Sequence, residues 1–122
     1  MSRAGKLRVP EYLRHILEAI RRIHLYTEEM DEVRFLEDAK TQDAVIRNFE
    51  IIGEACRNID FHHPEFAQQN SEVPWGFAYE MRNALAHGYF EVDHEIVWQT
   101  VHHDLPDLAH QIRMLLSKSH EV

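Results

Sequence analysis

The chain has 122 residues, of which 44% are hydrophobic and 28% charged, a balance that fits one domain with a buried core and excludes low-complexity or fibrous protein. It holds no run of about 18 apolar residues, which excludes a spanning helix, and residues 1–10 lack the apolar stretch of a secretory signal. The net charge of −8 weighs against nucleic acid as a partner, yet residues 1–25 carry +4 and the remainder −12, so one basic edge stands against an acidic body.

Glycine and proline number four each, and no alternation of apolar and polar residues persists, so helix is expected throughout. Pro10 opens the first helix, and Leu13, Ile16, Leu17, Ile20 and Ile23 recur at three and four to make one apolar stripe. Arg14 and Arg21, seven apart, share a polar flank and are candidates for RNA phosphate contact or simply for solvation. Residues 27–31 are acidic and read as loop or frayed helix. Thr41 is the expected N-cap of a long helix reaching about Ile59. Its main stripe is Val45, Phe49, Ile52, Cys56 and Ile59; a second, Ala44, Asn48, Ile51 and Ala55, lies about 80–100° away. Two apolar faces imply two buried faces, either one core contact plus a homodimer interface or a central helix between two neighbours of the same chain.

His62-His63-Pro64 breaks the pattern, Phe66 to Asn70 suggests a short helical turn, and Val73-Pro74-Trp75 enters a further helix with Trp75 as anchor. Phe77, Met81 and Leu85 share a face of that helix, which is expected to end near His87-Gly88. Asp93 is the expected cap of the last helix, with Val97, Val101, Leu105, Leu108, Ile112 and Leu115 as its stripe and Pro106 as a kink or break. Four principal helices imply an all-α, up-and-down four-helix bundle with short extra helical turns, as one domain over residues 1–122. A polar segment, 1–9, precedes it, and residues 117–122 form a short tail.

Chemistry concentrates in Arg82-Asn83-Ala84-Leu85-Ala86-His87-Gly88-Tyr89, which gathers a cation, an imidazole and a phenol at an expected helix end. Histidine can exchange a proton near neutral pH, and the arginine fork matches phosphate oxygens. Together they suit RNA transesterification: imidazole takes the 2′-hydroxyl proton and guanidinium stabilises charge growing on phosphate. Such chemistry requires no metal, and DNA lacks the attacking hydroxyl. Five residues along an unbroken helix place Arg82 and His87 about 140° apart. The helix must therefore unwind near Gly88, or the two groups must meet across a dimer. The structural alternative is an Arg82 ion pair and a His87 carbonyl cap.

Arg82, four residues, His87, one residue and Tyr89 resembles the signature of HepT toxins in the HEPN superfamily. Pro74-Trp75 upstream, Gly88-Tyr89-Phe90, Gln42-Asp43-Ala44-Val45 and Ile52-Gly53-Glu54-Ala55 extend the likeness from the first helix to about Leu116. The resemblance implies a HEPN bundle that forms a homodimer with paired motifs along a cleft. It implies that Arg82 and His87 form a metal-independent endoribonuclease acting on cellular tRNA or mRNA, with Asn83 in support. It also implies a toxin–antitoxin pair, in which a MNT-type nucleotidyltransferase antitoxin transfers AMP to Tyr89. The added phosphate would place negative charge and bulk beside the catalytic pair. The alternative is a non-catalytic HEPN module that binds nucleotide or a nucleotidyltransferase partner.

Other polar groups have plainer explanations. His103, Asp107 and His110 share a helical face if the helix survives Pro106, but structural zinc normally takes four protein ligands, so no metal or other cofactor is expected. Glu54 stands off its helix's main stripe, fit for a local ion pair or a dimer cleft, and His62-His63 reads as loop. Cys56 lies in an apolar stripe and reads as core; as the sole cysteine it excludes an intramolecular disulfide and suits a cytoplasmic setting.

Overall fold

The computed structural model describes residues 7–76, 78, 80–81 and 92–120, and every regular element among them is helical. The first helix, α1 (Val9–Thr27), begins one residue before Pro10. Its opening is fixed by Glu11 Oε1, which accepts from the Arg8 N–H at 2.8 Å. Leu13, Ile16, Ile20 and Ile23 are buried as their spacing predicts, while Leu17 is half-buried at the edge of the stripe. Ahead of the helix, Leu7 is tied down at both ends of its peptide unit. Its N–H donates to the Tyr12 hydroxyl at 2.9 Å, and its carbonyl accepts from His63 Nε2 at 2.8 Å. That second bond joins the start of α1 to the end of the long helix, so the two run antiparallel.

The acidic stretch 27–31 is the end of α1 followed by a turn, as expected, and a five-residue helix that the sequence pattern did not show, α2 (Glu32–Leu36), comes after it. Asp31 caps it by accepting from the Arg34 N–H at 2.9 Å, and Phe35 is fully buried beneath it. Cap and anchor together offset the poor nucleation of so short a helix.

The long helix, α3 (Ala39–His62), is capped by Asp38 rather than Thr41. Asp38 accepts from the Thr41 N–H at 3.0 Å, so Thr41 sits inside the first turn. Both expected stripes of α3 are turned inward: Val45, Phe49, Ile52, Cys56 and Ile59 are buried, and so are Asn48 and Ala55. Within the chain α3 packs on α1, α2 and the following helix, while Ala44 and Ile51 of the second stripe stay half-buried. Gln42 is buried in the same wall, its Nε2 donating to the Phe35 carbonyl at 2.9 Å and linking α3 to α2.

Pro64 opens α4 (Pro64–Gln69), which begins two residues before the short helical turn expected from Phe66. Helical backbone resumes at Trp75 and Gly76 and is present again at Ala78, Glu80 and Met81. Asp93 caps α5 (His94–His103) as expected, its Oδ1 accepting from the Glu95 and Ile96 N–H groups at 3.0 and 3.2 Å. The expected last helix is divided: α5 ends at Asp104 and α6 (Leu105–His120) begins immediately. Pro106 falls in the first turn of α6, where its missing N–H leaves no ladder bond broken. No glycine or proline follows Leu116 to stop α6, and the helix continues to His120 through residues expected as a tail. Val97, Val101, Leu105, Leu108, Ile112 and Leu115 are all buried, so the stripe survives the break.

α1 is the spine of the bundle. It packs most extensively on α3 and next on α6, while α5 braces α2 and α6. The C-terminal half of α1 faces the first half of α6, so these two are also antiparallel.

Candidate active site

Arg82, Asn83, His87 and Tyr89 lie outside the described residues, as do Phe77, Leu85 and the expected helix end at His87-Gly88. The described chain fixes the two ends of the segment that carries them. On the approach, Trp75 is 5% exposed, and its Nε1 donates to the Asn70 carbonyl at 3.2 Å. Phe66 of α4 stands 6.2 Å away, ring centre to ring centre. The Ala78 N–H bonds the Pro74 carbonyl at 3.1 Å, starting the helix, and Ala78 is buried with Met81 packed against the core. Gln111 of α6 donates from Nε2 to the Glu72 carbonyl at 3.0 Å and holds the preceding loop against the bundle. On the departure, Val92 packs on the core and Asp93 caps α5. The indole anchor was legible in the sequence; Asn70 and Gln111 were not, because Asn70 acts through its own backbone carbonyl and Gln111 through a carbonyl far away in the chain.

The two candidate RNA contacts on α1 are both exposed but differ in what surrounds them. Arg21 is clasped by Glu18, with Nε to Oε1 at 3.0 Å and an Nη2 to Oε2 contact of 2.8 Å. Arg22 adds its Nε to Glu18 Oε2 at 3.0 Å. Hydrogen bonding from Arg21, then from Arg22, pushes the Glu18 carboxyl down to about 2. Two arginines on one carboxylate leave a net positive surface, but the Arg21 fork is already occupied there.

Between α1 and α3 lies a charged cleft of about 340 Å³ lined by Tyr12, His15, Arg47, Glu50 and Glu54 among others. Glu54 is therefore placed in a cleft within one chain. Arg47 and Glu50 form an exposed pair at 3.6 Å. Among the described residues, no three histidine, cysteine, aspartate or glutamate side chains gather as a metal-binding group. The α5–α6 break at Asp104 separates His103 from Asp107 and His110, and His103 Nδ1 donates to the Gln99 carbonyl at 3.0 Å. Cys56 is fully buried, and burial first, with the Asp60 charge adding, pushes its thiol up to about 12. It is core, not a nucleophile.

Two buried polar atoms among the described residues have no hydrogen-bond partner: Asn48 Oδ1 within α3 and His94 Nδ1 at the start of α5. His94 lies edge-on to Phe35, with centroids 6.3 Å apart. The amide of Asn48 is half satisfied, since Nδ2 donates to the Ala44 carbonyl at 2.9 Å.

Over residues 16–115 the chain matches the family described as ribonuclease HepT-like. It belongs to that family.

The matched span takes in α1 from Ile16, every later element up to Leu115 of α6, and the whole 82–89 motif. Individual relatives agree. The protein named "Probable ribonuclease HepT" of Thermococcus cleftensis is 44% identical over 86% of this chain and 93% of its own length. A protein of Methanocaldococcus jannaschii, named provisionally as an RNase, is 36% identical over 88% of this chain and 87% of its own. Another so named, from Caldanaerobacter subterraneus, is 35% identical over 88% of this chain and 93% of its own. No solved structure matches the chain significantly. Membership makes this all-α bundle a HEPN ribonuclease by class, and no helix among the described residues is long and apolar enough to cross a membrane.

Proposed function

We propose that this HEPN ribonuclease is the toxin of a toxin–antitoxin pair, a metal-independent endoribonuclease acting through Arg82 and His87. The carrying observation is the Arg82, His87, Tyr89 motif lying intact inside the span that matches the family. His87 imidazole removes the 2′-hydroxyl proton of the RNA, the freed oxygen attacks the adjacent phosphorus, and the 5′-oxygen leaves and takes up a proton. Arg82 stabilises the charge that builds on the phosphate oxygens, with Asn83 in support. The anchored ends at Trp75 and Val92–Asp93 support this reading, since precise positioning requires a rigid base beneath a reactive segment. Two copies pair so that two such segments share one cleft, in the cytoplasm.

Control falls to Tyr89. A MNT-type nucleotidyltransferase antitoxin transfers AMP from ATP to the phenol: a bond forms between the phenolic oxygen and the α-phosphorus, the α–β anhydride breaks, and pyrophosphate leaves. The adenylate then competes with substrate phosphate for Arg82 and obstructs the cleft.

The decisive experiment is cleavage of total RNA by purified protein in EDTA. Wild type cuts; His87→Ala and Arg82→Ala each lose about 100-fold or more in rate while remaining folded by circular dichroism. Intact RNA with wild type and variants alike would reduce the domain to a binding module. For the antitoxin, Tyr89→Phe escapes neutralisation, and mass spectrometry after co-expression with the nucleotidyltransferase finds AMP on wild type only. Neutralisation that persists in Tyr89→Phe would leave complex formation as the means of control.

A further inference from the structure

A groove of about 830 Å³ runs between the C-terminal half of α1 and the α5–α6 junction. Its walls are aliphatic: Leu17, Ile20 and Met30 on one side, Val101, Leu105 and Ala109 on the other. Its rim carries Arg21 and His24 from α1 with His102 and Arg113 across from them, and Glu28 is the one carboxylate among the described lining residues. In a chain of net charge −8, this trough is a local patch of the opposite sign.

We propose that the groove receives an amphipathic helix with acidic flanks, supplied by a partner polypeptide. Three features carry the assignment. Two antiparallel helices leave a trough along their length, the shape into which a third helix packs ridge into groove. From Leu17 to Glu28 the α1 wall rises about 17 Å at 1.5 Å per residue, the length of about three helical turns. The walls among the described residues are aliphatic, so they offer branched pockets for leucine-like anchors. The rim then selects the sign of the flanks: glutamates beside the anchors meet Arg21 and Arg113, while lysines meet repulsion. Glu18 already holds Arg21, but with Arg22 on the same carboxylate the edge stays net positive.

The test titrates the full chain into a fluorescent synthetic peptide of about 18 residues with leucines at helical spacing and glutamates on both flanks. A second peptide carries lysine at every glutamate position, and a single-stranded RNA oligonucleotide serves as competitor. The glutamate peptide binds at least about tenfold more tightly than the lysine peptide. The double substitution Pro106→Glu/Arg113→Glu reverses that order; both positions are exposed, and glutamate is favoured in a helix's first turn, so the variant folds. Failure of the glutamate peptide to bind, equal binding of both peptides, or an unreversed preference overturns the proposal. So does displacement by the RNA, which makes the groove a nucleic-acid surface. Sedimentation that finds a wild-type dimer and a monomeric double variant overturns it too, since a second copy then fills the groove.

Discussion

Asp38 holds the start of α3 through the Thr41 N–H, and this bond keeps its carboxyl below the ordinary carboxylate range. A depressed folded pKa means stability that is present above the unfolded value of about 4 and lost as pH falls through the folded one. Wild type and Asp38→Ala should therefore differ in urea midpoint near about pH 6 and converge toward about pH 2.5; an equal gap at both would remove the charge from the account. Sequence pattern pointed to Thr41 as the cap, and the structure places it at Asp38, three residues earlier. Distinguishing them requires knowing which of the two has its backbone in extended geometry, and periodicity is silent on that. Glu18 makes a second case. The spacing placed Arg21 on a surface fit for phosphate, but its clasp by Glu18 arises from side-chain reach. Glu18→Gln should tighten RNA binding and steepen its salt dependence by about one unit of log–log slope, as a released cation adds a phosphate contact. An unchanged slope in a filter-binding titration would dissociate Arg21 from RNA.

At the scale of elements, the long stripes were legible because each repeats over several turns. Leu13 to Ile23, Val45 to Ile59 and Val97 to Leu115 mark the interior of α1, α3 and the α5–α6 pair. α2 was not legible: five residues cannot display a period, and its existence depends on the Asp31 cap and on a pocket waiting for Phe35. The α5–α6 division was half legible. Pro106 signalled a disturbance, and the backbone places the break just ahead of it, so that the proline enters the first turn of a new helix. Asp93 caps α5 just after the segment that carries the 82–89 motif. Asp93→Ala should cost about 1 kcal/mol and lower the thermal midpoint by about 4 °C. Calorimetry measures the loss, and an unchanged midpoint would mean that packing alone holds the start of α5.

For the molecule as a whole, α1 joins α3 and α6, and its buried face decides whether the bundle stands. Leu13→Ala or Ile16→Ala, each at a fully buried position, should cost about 2–5 kcal/mol in equilibrium unfolding. Ribonuclease activity per folded molecule should hold, because neither residue belongs to the 82–89 segment; a fall in activity without a fall in stability would tie the spine to the chemistry. The fold class could be read from periodicity because it is a sum of local patterns. The motif could be read as a spacing of residue types, but the convergence of guanidinium and imidazole is a tertiary matter, since five positions of regular helix would turn them apart.

The lone thiol of Cys56, sealed within α3, has a practical result. Native protein is blind to maleimide reagents, so a cysteine introduced at an exposed position such as Gln99 or Ser117 would carry the only label. Spin or dye pairs could then measure spacings between copies, or between this chain and a bound partner, without first rebuilding the interior.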